Sequence, residues 1–129
     1  MLRPLLAVAA GFAAWTVSFF AASAVVRAAF PDAHLATGAV YDIVPLIVYL
    51  IIASAACLLA GITTRRLSPT TRWGELATAV LLLAVGLGVQ LSSWTLAPAW
   101  YHVAFLALLV PMTLVGARVA TVDEPNGAP

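Results

Sequence analysis

Long uncharged apolar runs dominate this chain, and the polar positions gather in short clusters between them. A run of roughly 18 or more such residues predicts a membrane-crossing helix, because about 20 residues span a hydrocarbon core of about 30 Å. The pattern predicts four helices, over residues 4–28, 42–64, 74–93 and 98–118. Arg3 and Arg27 bound the first, and Asp42 and Arg65 bound the second. The run from Leu76 to Ala117 carries no charge and is long enough for two crossings. The segment "SWTLAP" at 93–98 divides it, with Pro98 suited to the first turn of a new helix. The fold class expected is all-α, a transmembrane four-helix bundle forming one domain over residues 1–118. The polar, Pro- and Gly-containing stretch 119–129 is expected to be a short disordered cytoplasmic tail.

Composition supports this reading. The 129 residues are 64% hydrophobic and 9% charged, whereas soluble domains run at about 45–50% and about 25%. A chain of this size buries only about two thirds of its surface on folding, so the excess has no core to occupy and the solvent must be lipid. The first run also carries marks of a signal peptide: Arg3, an apolar stretch and the small residues "ASA" at 22–24. Its apolar part exceeds the usual ~7–15 residues of such a peptide, and it holds Phe12, Trp15, Phe19 and Phe20. A retained helix is the expectation.

Charge sets orientation. All six basic residues are Arg, a composition that hints at a GC-rich bacterial coding bias. Arg3, Arg65, Arg66, Arg72 and Arg118 fall on one side of a four-span chain, and Arg27 alone falls on the other. The positive-inside rule predicts cytoplasmic termini. The loop "RRLSPTTR" at 65–72 is then placed to meet anionic headgroups. Trp94 and Trp100 are expected as interfacial anchors. The net charge of +1 gives no reason to expect a nucleic-acid partner.

Helices in lipid associate through small residues. Helix one offers Ala10, Ala14, Ser18 and Ala22. Helix two offers Ala53, Cys57 and Gly61, with Ala56 and Ala60 on the adjoining stripe. Helix three offers Ala84, Gly88 and Ser92. Together they predict a compact left-handed bundle. The lone Cys57, among small apolar neighbours, reads as packing and not as a reactive thiol. Pro111 predicts a kink near Ala107, tolerated as in other membrane helices. Glu75 opens helix three, where a carboxylate suits the helix dipole.

Polar groups within a membrane span are expensive and point to function by default. Gln90 and His102 lie about one turn inside the two ends of the third connection, at similar depth, on stripes of small and polar residues. Arg27, Asp42 and Tyr101 belong to the same end, so a binding vestibule of Arg27, Asp42, Gln90, Tyr101 and His102 is predicted there. A structural reading stands beside it. Asp42 would cap helix two, Arg27 would snorkel, and Gln90 and His102 would satisfy each other. No metal site is expected, because His34, His102 and Asp42 have no ligand spacing. No haem or other cofactor is expected. The chain also lacks a phosphate loop, a nucleophile elbow and an HExxH motif.

The stretches "LRPLLAVAAGFAAWTVSFFAASAVVRAAFPDA" and "LLLAVGLGVQLSSWTLAPAWYHVAFLALLVPMTLVGARV" carry a W-x(5)-WYH pattern at Trp94, Trp100, Tyr101 and His102. They resemble a group of uncharacterised small bacterial four-span inner-membrane proteins. The resemblance implies that location and implies no activity. Small multidrug exporters depend on a Glu in the first span, which this span lacks, and quinone-linked thiol oxidases need Cys pairs. Nor is the polar pore and Phe pattern of fluoride channels present. The expected function is that of a non-catalytic structural or accessory membrane protein. Its partners would be the lipid bilayer and either a second copy or another membrane protein. The alternative is a transporter or ligand-binding protein using the vestibule around Gln90 and His102.

Overall fold

In the computed structural model, which describes residues 2–122, four helices run up and down in sequence order. They are α1 (Leu2–Ala29), α2 (Ile43–Leu67), α3 (Trp73–Ser92) and α4 (Ala99–Val122). Each is long and apolar enough to cross a membrane, the architecture of a multi-pass membrane protein. The expected all-α four-helix bundle is the observed fold. Leu6, Val17, Ile51, Leu81 and Val103 face outward, as a lipid solvent allows. α2 sits centrally, with its main contacts to α4 and α1, and α3 packs chiefly on α4.

The helix ends refine the predicted boundaries. α2 continues past Thr64 to Leu67, and Arg65 and Arg66 in its last turn complement the negative end of the helix dipole. Arg3 Nε donates to the Leu67 carbonyl at 2.8 Å, satisfying one of the terminal acceptors. Glu75 lies in the first turn of α3 and pairs with Arg65 at 3.6 Å, a contact added to its dipole role. Pro98 stands immediately before α4 and not within its first turn. The ring pushes the preceding Ala97 into an extended conformation, so the helix starts one residue later. α4 runs on to Val122, so residues 119–122 of the expected tail are helical, and 123–129 lie outside the described residues. Pro111 is exposed inside α4.

Close helix contact is concentrated where α2 crosses α4. A Cβ on Gly61 would collide with the Thr113 carbonyl, and one on Gly116 with the Leu58 carbonyl. Both sites require glycine because backbone meets backbone. Around them Ala53, Ala56, Cys57 and Ala60 are buried, as the small-residue pattern of α2 predicted. The patterns of α1 and α3 do not face the core in that way. α1 buries Ala7, Gly11, Trp15 and Val26, leaving Ala10, Ala14, Ser18 and Ala22 half-buried beside that face. α3 buries Gly74, Thr78, Ala79, Leu82, Gly86 and Gln90, while Ala84, Gly88 and Ser92 are exposed. Small spacing permits contact without selecting a face. On α3 the buried polar Thr78 and Gln90 select it, because in lipid they need protein partners.

One end of the bundle, near Arg3, is closed by hydroxyls. The Thr64 hydroxyl lies 3.0 Å from that of Thr78, which donates to the Gly74 carbonyl. Gly11 of α1 packs directly on Thr64. Three helices therefore meet around one buried polar pair.

Candidate functional site

The opposite end is hollow. The C-terminus of α1, the N-terminus of α2, the α3–α4 turn and the loop 30–42 surround a cavity of about 340 Å³. Pockets for small ligands run at about 300–1,000 Å³ and are mostly apolar with a few polar groups.

α1 provides the longest wall. Phe12, Trp15, Phe19, Ser23 and Arg27 all line the cavity, at the three- and four-residue spacing of one helical stripe. The rings of Phe12 and Trp15 stack at 6.4 Å, and those of Trp15 and Phe19 at 5.1 Å with planes only 3° apart. The Phe19 ring meets the edge of Phe105 of α4 at 5.7 Å. These contacts make an aromatic lining that begins deep in the bundle and ends near Arg27. The Ser23 hydroxyl is buried and has no hydrogen-bond partner.

The loop folds back over this end. His34 and Val40 form an isolated bridge, and the Val40 N–H donates to the Leu96 carbonyl at 2.8 Å. Gly38 makes the turn between them with φ at +86°, a conformation glycine alone adopts without strain. His34 is thereby held at the cavity wall. Its Nδ1 lies 2.7 Å from the Phe30 carbonyl and its Nε2 2.8 Å from the Tyr49 hydroxyl. A carbonyl only accepts, so Nδ1–H donates to Phe30. In the neutral ring Nε2 then accepts from Tyr49. The Tyr49 oxygen keeps its lone pairs for the Arg27 guanidinium beside it.

His102 and Gln90 form the facing wall. His102 Nδ1 bonds the Gln90 side-chain amide, and Nε2 lies 3.0 Å from the Trp94 carbonyl. Both partners are carbonyl oxygens, Oε1 of Gln90 and the Trp94 main chain, which only accept, so a neutral ring donates to one of them at a time. The Trp94 ring stacks on the imidazole at 4.7 Å, and Tyr101 meets its edge at 5.7 Å. His102 is thus held on four sides and ties α3 to α4. The mutual satisfaction expected of Gln90 and His102 is observed, and both residues also line the cavity.

Four of the five predicted vestibule residues therefore come together: Arg27, Gln90, Tyr101 and His102. Asp42 does not join them. It stands at the N-cap of α2 without a side-chain cap bond and is exposed. A carboxylate is better solvated there than against an apolar wall. His34, Tyr49, Ser23 and the α1 aromatics belong to the site without having been predicted in it. The stripe from Phe12 to Arg27 was visible as helical spacing, whereas the return of His34 required the loop. Trp94 and Trp100 are 43% and 45% exposed near this end, consistent with anchoring. Cys57 is fully buried in the core. Among the described residues no group of three or more His, Cys, Asp or Glu could hold a metal ion.

No protein-family model matches this chain, and no curated protein or solved structure matches it. What fold and site define is a class: a multi-pass four-helix bundle, closed around Thr64 and Thr78 at one end and hollow at the other.

Proposed function

We propose that this is a non-catalytic membrane protein that binds a small amphipathic molecule in the cavity beside Arg27. The cavity carries the reading: it draws on all four helices, is apolar along the α1 aromatics and is polar at Arg27, Ser23, His34 and Tyr49. Enzymatic chemistry has less support. The two histidines spend their nitrogens on carbonyls, Tyr49 and Gln90, and among the described residues no carboxylate lines the wall. Five of the six arginines lie at the other end of the helices, which supports cytoplasmic termini and a cavity on the far side of a bacterial inner membrane.

The test is recovery of the protein from native membranes followed by mass spectrometry of what co-purifies. A single small-molecule species at near-stoichiometric amount is expected. It should be lost when the cavity is narrowed by Val85→Phe while the fold, read by circular dichroism, is retained. A lipid profile identical for the two proteins would refute the proposal.

A further inference from the structure

We infer that the ligand is a single-chain amphiphile with an anionic head, its tail along the α1 aromatics and its head at Arg27. This rests on the binding reading above and adds the chemistry of the ligand.

Shape gives the first argument. Phe12 and Arg27 are separated by about 22 Å of helix at ~1.5 Å per residue, and both touch the cavity. A volume of about 340 Å³ drawn out over that length leaves width for one acyl chain and not for two. The deep part of the wall, at Phe12, Trp15, Phe19, Leu46 and Phe105, is apolar apart from the Trp15 Nε1–H.

Charge gives the second. Among the described residues Arg27 is the only charged one in the wall, and no Asp or Glu lines it. A guanidinium offers charge-assisted hydrogen bonds that a carboxylate or phosphate accepts well. A cationic head would instead be repelled.

The third argument is the Ser23 hydroxyl. It lies one helical turn from Arg27 on the same stripe, buried and without a partner. Buried hydroxyls are ordinarily satisfied, and a head-group oxygen held by Arg27 would accept its proton. The Tyr49 proton is committed to His34, so at the Arg27 end of the wall Ser23 and Arg27 are the donors left for a head group, while the Trp15 Nε1–H, also without a partner, lies deeper, beside the tail.

The experiment uses the full chain in phosphatidylcholine nanodiscs, with thermal unfolding followed during titration. Four probes share one C18 chain: oleate, methyl oleate, oleylamine and oleoyl-lysophosphatidylglycerol. All enter the bilayer, so non-specific effects of partitioning are common to them. Saturable stabilisation is expected from oleate and the lysophospholipid, at about tenfold lower concentration than from methyl oleate, since charge-assisted bonds exceed neutral ones by about that factor. Whichever of the two anions saturates first identifies the head as a carboxylate or a phosphodiester. Arg27→Gln, at an exposed position, should bring oleate and methyl oleate to within about twofold, each shift read against the variant's own unliganded melting temperature because the Tyr49 contact is lost as well. Ser23→Ala should weaken oleate in the same assay. Equal or tighter binding of methyl oleate or oleylamine would overturn the anionic head and leave the cavity as a binding site. No saturable response from any probe would overturn both.

Discussion

The two ends of the bundle solve the same problem in different ways. Near Arg3 most polar groups are spent on one another: Thr64 on Thr78, Thr78 on Gly74, Arg3 on Leu67 and the Arg65 Nη1 on Glu75, with only the Arg65 Nε left over among the described residues. Glycine at 61 and 116 lets α2 and α4 touch backbone to backbone. Near Arg27 the side chains are large and aromatic, the helices enclose a cavity, and Ser23 is left without a partner. Small residues and closed hydrogen-bond circuits build a lock, and bulky rings with an unspent donor leave room for a guest. In lipid the contrast is sharper than in water, since packing and polar satisfaction carry association.

Breaking the lock should have the largest effect. Gly61→Ala and Gly116→Ala each push a methyl into a backbone carbonyl, and each should lower stability by about 2–3 kcal/mol in reversible detergent denaturation. The two changes strike one crossing, so their combination should fall short of the sum. His102→Ala removes the ring that ties α3 to α4 and strands Gln90, with an expected loss of about 2 kcal/mol. Because Gln90 is then free to turn into the cavity, ligand affinity should change as well. Thr78→Val deletes the hydroxyl circuit at the closed end and should remove about 1 kcal/mol, the scale of interhelical hydrogen bonds in membranes, without altering ligand affinity. Gly88→Ala faces open space and should be neutral or stabilise by up to about 1 kcal/mol through helix propensity. The opposite signs at Gly88 and Gly61 separate a packing requirement from a mere preference for small residues.

That pair of glycines also shows how far the chain could be read. The four crossings were legible because hydropathy reports length, and bilayer thickness converts length into a span. Which face of each helix turns inward was not, because lipid-facing and core-facing positions are both apolar. The small-residue rule therefore succeeded on α2, where Ala53, Cys57 and Gly61 adjoin Ala56 and Ala60, and misplaced the seam on α3, where Ala84, Gly88 and Ser92 look outward. Gln90 and His102 were legible as partners because a tight turn puts them at equal depth, and a buried polar group must find one. His34 and Tyr49 are fifteen positions apart, joined through a loop whose return depends on Gly38 and on the Val40–Leu96 bond. No periodicity encodes that. Asp42 shows the converse: its place before α2 was legible, but whether a terminal carboxylate turns inward is decided by solvation.

The contrast between the ends can be measured directly. With Cys57 replaced by Ala, single cysteines at Ser23 and at Thr78 would be exposed to methyl methanethiosulfonate, small and neutral, in nanodiscs under native conditions. The account predicts rapid modification at position 23, slowed by oleate, and negligible modification at position 78. Equal rates at the two positions, with oleate protecting neither, would contradict it.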